Sequence, residues 1–424
     1  MANQMLTIGD IAEIFDGPHA TPKKIENGPY FLSISSLEDG RLDLSKSAHV
    51  SEEQFVKWTK RVTPQKGDLL FSYETRLGEA ALMPEGVRAC LGRRMGLLRP
   101  KLDKVIPEYL LYAYISPFFQ QVIKANTIVG ATVDRIALSE MKDFPIRVPN
   151  LSEQKAACLL LSTIDKKIEL NNHINSELES MAKTLYDYWF VQFDFPDANG
   201  KPYKASGGKM VYDPTLKRDV PDEWEVTTVG KIATTELGGT PSTTMDEYWN
   251  DADIPWLSSA ETASFPVTTS EQKITQAGID NSAATLLPKG TVIISIVRYI
   301  RPSILGIDAA TNQSVVGIRE CKRLKSSFIY PYFCSEVPRL MGLRTGAQQP
   351  HINKGVIENS PIVIPSDKAL TDYYKVADPI FEKIMNLAFQ NQELVQIRDW
   401  LLPMLMNGQV TVKPSTKSKE AQHG

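Results

Sequence analysis

The stretch Leu151–Phe190, LSEQKAACLLLSTIDKKIELNNHINSELESMAKTLYDYWF, decides the fold. Ile164, Asn171, Leu178 and Leu185 fall on every seventh residue, and Ile168, Asn175, Ala182 and Trp189 make a second seam four residues on. That spacing predicts a long helix with a partner-facing stripe. No proline interrupts it, and roughly forty residues at 1.5 Å each would span about 60 Å.

The same pattern recurs near the end of the chain. Adding 216 to Ile164, Ile168, Leu178 and Leu185 gives Ile380, Ile384, Leu394 and Leu401, and the offset carries Asn175 onto Asn391. It also holds upstream, where Gly130-Ala131 meets Gly346-Ala347 and FPIRVPN from Phe144 meets SPIVIPS from Ser360. Both copies therefore share one segment order: a glycine turn, a short proline-flanked strand and a long helix. We read these eight apolar positions as the seam between two antiparallel helices. Asn171, Asn175 and Asn391 interrupt it, where amides fix register at some expense of stability.

Composition is that of an ordinary globular protein: 424 residues, 42% hydrophobic, 23% charged, formal net charge −3. A chain with that balance does not coat nucleic acid by bulk charge, so DNA binding would rest on local basic patches. Cys90, Cys158, Cys321 and Cys334 are scattered and do not cluster with the five histidines, which argues against a metal site or a disulfide framework. The start MANQMLTIGD has no signal pattern and no apolar run approaches 18 residues, so we expect a cytoplasmic protein without a membrane partner.

In chain order, residues 1–150 read as a first globular region rich in short strands, with one helix over Pro107–Ala125. The first long helix follows over 151–190, then a linker over 191–223 laid on a surface. Residues 224–365 repeat the first region, with Gly9 and Ile11 meeting Gly230 and Ile232, and Lys66-Gly67 meeting Lys289-Gly290. The second long helical segment occupies 366–410, its helix starting about Asp378 with Pro379 in the first turn, and 411–424 read as a disordered tail. The fold class is thus α+β: two mixed regions related by an approximate two-fold axis, joined by two long antiparallel helices acting as a coiled-coil spacer.

Each globular region carries one basic segment. The first has Arg88, Arg93, Arg94, Arg99 and Lys101; the second runs from Lys289 through Arg298, Arg301, Arg319, Lys322 and Arg323 to Lys325. Recurrence at matching places points to a phosphate-facing surface. Residues able to reach base edges are Tyr73, Arg76, Arg88, Arg93 and Arg94 in the first region and Arg298, Tyr299, Arg301, Gln348, Gln349, His351 and Lys354 in the second. Tyr73-Glu74-Thr75-Arg76 faces Ile296-Val297-Arg298-Tyr299 at an offset of 223, so one scaffold carries unlike loops, which implies two unlike targets.

Catalytic motifs are weak. The chain has no phosphate-binding P-loop, no GxGxxG, and no Asp- or Asn-Pro-Pro-Tyr/Phe tetrapeptide of amino-methyltransferases. Pro221-Asp222 followed by Glu271-Gln272-Lys273 resembles a nuclease metal site only superficially and reads better as the start of a domain. Three classes stay open on the residues alone: a DNA-binding subunit, an enzyme with some modification or cleavage activity of its own, and a helical scaffold for proteins.

The central block YDYWFVQFDFPDANGKPYKASGGKMVYDP from Tyr186, leading into VPDEWEV at Val220, resembles the specificity subunits of type I restriction–modification systems. EQKAA at Glu153, LLPMLMNGQVTV at Leu401 and the Gly239-Thr240-Pro241 turn are similar to that family too, whereas the first copy has Gly17-Pro18 and a displaced Thr21-Pro22. The resemblance implies two target recognition domains, each reading one half of a bipartite sequence in double-stranded DNA. It implies a non-catalytic chain, without metal or cofactor of its own, that recruits two modification subunits and, with restriction subunits, forms the larger complex. S-adenosylmethionine, ATP and Mg²⁺ would then belong to those partners.

Overall fold

The structure is a computed structural model that describes residues 4–130 and 132–412. Ala131 of the first glycine turn, and residues 413–424 of the expected tail, lie outside the described residues. The chain divides into two packing units, one made of the residues up to Lys167 together with those from Leu394 on, the other of Ile168–Glu393.

In the first unit, β1 (Gln4–Thr7) leads through a short turn of helix into β2 (Ala12–Asp16) and β3 (Ile25–Leu32). Then follow β4 (Ala48–His49), β5 (Leu69–Ser72), β6 (Ala80–Leu82), β7 (Ala89–Leu91) and β8 (Met95–Pro100). One sheet has the order β2-β8-β5-β6 and a second has β4-β3-β7. The β5 side chains are buried throughout, as expected of a strand covered on both faces.

Two helices come next, α1 (Pro107–Ile115) and α2 (Pro117–Ala125). The single helix expected over Pro107–Ala125 is broken because Pro117 drives Ser116 into extended backbone (ψ 149°), and Ser116 then caps the second piece. After them β9 (Pro145–Val148) pairs antiparallel with β1, and the long helix α3 (Leu151–Tyr186) begins.

The second unit repeats this plan. A hairpin of β10 (Met210–Asp213) and β11 (Arg218–Pro221) precedes β12 (Glu225–Thr228), β13 (Thr235–Leu237), β14 (Ile254–Leu257) and β15 (Gln272–Ile274). Then come β16 (Val292–Ser295), β17 (Arg301–Ile304), β18 (Ala310–Thr311), β19 (Val315–Ile318), helix α4 (Ser326–Gly342), β20 (Pro361–Ile364) and helix α5 (Asp367–Met406). Its sheets have the orders β13-β19-β16-β17 and β15-β14-β18, and β12 pairs with β20. Apart from the β10–β11 hairpin, each of these pairings has its counterpart in the first unit, down to the parallel contact of β3 with β7 and of β14 with β18. The duplication read from the sequence is therefore a duplication of topology.

The stretch read as a linker is packed rather than laid over a surface. Phe190 belongs to the buried core of the second unit with Phe193, Phe195 and Trp224, and Phe195 stacks on both Tyr203 and Trp224 with centroids 4.6 Å apart. Burying rings of this size contributes on the order of 2 kcal/mol each, enough to hold the connection as part of the domain.

Helix α5 starts well before Asp378. Ser366 accepts the Ala369 N–H through its hydroxyl, and Ala369, Leu370, Tyr373 and Ala377 bury one face at helical spacing. Pro379 therefore sits inside the helix, where packing outweighs its lost hydrogen bond. Each long helix is shared by the two units, since α3 contributes up to Lys167 to one and from Ile168 to the other, and α5 divides at Glu393.

The seam is as expected in type. Ile164, Ile168 and Ile384 are buried, and Leu178, Leu185, Ile380, Leu394 and Leu401 are half-buried. Within the second unit Asn171 bonds Gln390 and Asn391 while Asn175 reaches the Ile384 carbonyl, so the two helices run antiparallel there. In the first unit the partner of Asp165 on α3 is Arg398 on α5, at 3.3 Å.

Candidate nucleic-acid interface

The hairpin β5–β6 and its counterpart β16–β17 end in loops with one backbone design. Ser72 donates its hydroxyl to the Glu74 carbonyl at 2.7 Å, and Ser295 does the same to Val297 at 3.3 Å. Glu74 bridges to Arg135 as Val297 bridges to His351. Thr75 N–H donates to Asp134 O at 3.1 Å, and Arg298 N–H to Pro350 O at 2.8 Å. Thr75 and Arg298 both hold the left-handed conformation, with φ of 70° and 60°, which non-glycine residues adopt only when neighbours enforce it. Each tip is thus stitched to a second loop, the one before β9 or the one before β20.

The side chains on this shared backbone differ. In the first unit Tyr73 is only 4% exposed, inside the core, and burial pushes its phenol above its ordinary pKa. Arg94, itself at φ 73°, pairs through Nε with Glu74 at 2.9 Å and donates from Nη1 to Thr75 Oγ1 at 3.4 Å. Arg76 is tied to Glu79 at 3.2 Å and to the Ile34 carbonyl. Gly78, at φ 89°, closes this loop against Gln120, where any Cβ would meet Oε1 at 2.1 Å. Arg88 belongs elsewhere, held by Glu52 through both Nη atoms at 2.8 and 2.7 Å, which lowers the carboxyl's pKa. Arg93 is exposed.

In the second unit the tip is open and cationic. Arg298 is exposed, Tyr299 is 59% exposed, and the Arg301 guanidinium stacks over the Tyr299 ring at 4.7 Å. Gln348, Gln349 and His351 are exposed on the stitched loop. Lys354 lies one turn further on, paired with Glu358 at 3.2 Å. The Glu358 carboxyl is lowered first by the Thr235 hydroxyl and then by Lys354. Arg344, which sequence reasoning passed over, donates from Nη1 to the Arg298 carbonyl and from Nε to Met341 O at 3.0 Å.

The basic segments are not continuous phosphate-facing surfaces. Arg99 is spent on buried Asp68, Lys101 on the Gly9 and Asp10 carbonyls, Arg319 on Glu236, Arg323 on Asp367, and Lys325 on Asp378. Strand pairing brings Asp68, Glu236 and the two carbonyls alongside from distant sequence, and the packing of α5 brings Asp367 and Asp378. Asp222 of the superficial nuclease pattern is paired with Lys209 at 2.8 Å. Among the described residues there is no cluster of three or more metal-ligating side chains, and no helix long and apolar enough to cross a membrane.

Two loops that share a backbone design around Thr75 and Arg298, carried by duplicated domains but unlike in length, bracing and side chains, are what a protein with two different targets would present. Comparison with known proteins bears on this directly: the family model for the type I restriction modification DNA specificity domain matches twice, over residues 2–180 and 221–394. The chain belongs to that family. The specificity subunit of the MjaIX type I restriction enzyme of Methanocaldococcus jannaschii is 26% identical over 403 residues, covering 94% of this chain and 88% of its own. That of the HindI enzyme of Haemophilus influenzae is 23% identical, covering 82% and 87%. The crystal structure of a type I restriction-modification system S subunit from M. genitalium shares the fold, with a TM-score of 0.56 at 15% identity over 96% of both chains. This is a specificity subunit of a type I restriction–modification system, and its two specificity domains match recognition of a bipartite DNA target.

Proposed function

We propose that each specificity domain reads one half-site of an asymmetric bipartite duplex through its stitched hairpin tip. The observation that carries this reading is the pair of tips: the same backbone around Thr75 and Arg298, with a self-paired surface in one and Arg298, Tyr299 and Arg301 free in the other. Exposed arginine, glutamine and histidine beside a tip suit base edges, and lysine suits phosphates. Arg93, already exposed, and Arg94 and Arg76, available once Glu74 and Glu79 yield, are the corresponding contacts of the first domain. The long helices set the unread spacer between half-sites and dock two modification subunits, with restriction subunits joining the complex in the cytoplasm. This chain supplies no catalytic group and no cofactor; S-adenosylmethionine, ATP and Mg²⁺ act on the partners.

The test is to map methylated adenines in cells that carry the chain with its modification partner, before and after exchanging residues 225–364 for those of a relative. One half-site should change and the other should persist. Change in both, or in neither, would refute one domain per half-site. Insertion of one heptad in each helix should alter the spacer and leave both half-sites intact; an unaltered spacer would remove the helices from that role.

A further inference from the structure

Holding a non-glycine residue at φ 60° on an exposed loop requires a clamp. At Arg298 the clamp is visible. Its N–H is bound by Pro350 O, and its carbonyl receives the Arg344 guanidinium, whose Nε is in turn fixed to Met341 O at the end of α4. A planar fork that reaches two carbonyls at once leaves Arg344 little freedom. The Arg298 side chain is the part of the residue left outside, next to the Tyr299–Arg301 stack.

The first domain keeps the N–H part of this clamp, from Thr75 to Asp134 O, and does without the arginine on the carbonyl. Under the 216 offset Ile128 stands where Arg344 does, and the left-handed residue there, Thr75, is braced instead by Arg94. The two domains therefore hold one backbone conformation by arginines from different places in the chain.

We propose that Arg344 is a specificity-determining positioning residue of the second domain: it acts through the Arg298 carbonyl, aiming the Arg298 side chain at its half-site without contacting DNA. This rests on the reading that the tips face the duplex. Side chains that read bases must be held within a fraction of an ångström, and the discrimination of a bidentate contact, roughly five- to 150-fold, falls when its support loosens.

The experiment uses the complex with its modification partner. Binding is measured on duplexes that carry the mapped target or single base changes in either half-site, as a function of salt, for Arg298→Ala, Arg344→Ala and Arg344→Lys. Arg344→Ala should reduce discrimination in the second half-site about tenfold, as Arg298→Ala does, while discrimination in the first half-site and the salt slope attributable to position 344 stay unchanged. Arg344→Lys, which keeps one donor to the carbonyl, should restore part of the loss. A variant that merely misfolds would lose both half-sites together, and Arg344→Lys then decides. Intact discrimination in Arg344→Ala, or a uniform loss of affinity with the salt slope reduced by about one, would overturn the proposal, the latter by making Arg344 a phosphate contact. Intact discrimination in Arg298→Ala would overturn both it and the reading beneath it.

Discussion

Asn171 donates its side-chain amide to Asn391 Oδ1 and to Gln390 Oε1, both at 2.8 Å, from a position with no solvent exposure. Asn391 donates in turn to Asn172 Oδ1 at 2.7 Å, so a layer of amides crosses the helix seam, one turn from the Asn175 contact with the Ile384 carbonyl. Such a layer is satisfied in one register only. Asn171→Leu should cost about 1–3 kcal/mol because it strands the facing carbonyls. The double change Asn171→Leu with Asn391→Leu should cost less, yet admit targets of altered spacer. Chemical denaturation and methylation mapping would show this, and a fully stable single variant would argue against the layer.

Arg99 and Asp68 form a pair whose carboxylate is 2% exposed, with contacts of 3.0 and 2.7 Å. Arg99→Ala leaves that carboxylate buried with the Gln65 N–H but no countercharge, at an expected cost of about 3 kcal/mol. The salt dependence of DNA binding should stay as it was. A changed slope with unchanged stability would return Arg99 to the DNA surface.

Tyr112 on α1 donates to Asp165 on α3 at 2.6 Å, and Arg398 holds the other carboxylate oxygen. Burial, then the Asp165 hydrogen bond and charge, push the phenol far above its usual value. A raised pKa adds stability that is complete below about pH 10, the ordinary tyrosine value, and is lost as pH climbs beyond it. Tyr112→Phe should lower stability by about 1.5–3 kcal/mol at neutral pH and flatten the alkaline decline. Urea titrations at pH 7 and pH 10.5 would measure both effects.

Glu74 neutralises Arg94 at the first tip. Glu74→Gln should release the guanidinium to the duplex, raising affinity at low salt and steepening the slope of log K against log salt by about one. Titrations at several salt concentrations would detect this. An unaltered slope would mean that Arg94 stays away from phosphate even when free.

The long helices and the duplication were legible because both depend on spacing, which sequence displays directly: the seven-residue seam of Leu151–Phe190 and its copy at offset 216. What escaped depends on partners brought in by folding. Arg99, Arg319 and Lys325 looked like free charge until β-strand pairing and helix packing set Asp68, Glu236 and Asp378 beside them. Phe193 and Phe195 are two isolated aromatics among Gly, Pro, Lys and Asp, too few to display a buried face, so their stretch read as a linker although they pack on Trp224 of the second unit. The unlike tips were visible as unlike residues at matched positions. Arg344 was not, since its partner is a backbone carbonyl, which carries no sequence signature.

The first unit takes its last core residues, Leu402, Leu405 and Met406, from the far end of the chain, and Arg147 donates to the Leu405 and Met406 carbonyls there. The second unit is written wholly between its two parts. On the ribosome the first unit is therefore completed last: its closing helical turns are made only after every residue of the second unit has been translated. A message cut short before those turns leaves the first unit without Leu402, Leu405 and Met406 in its core and leaves Arg147 without the two carbonyls it binds there.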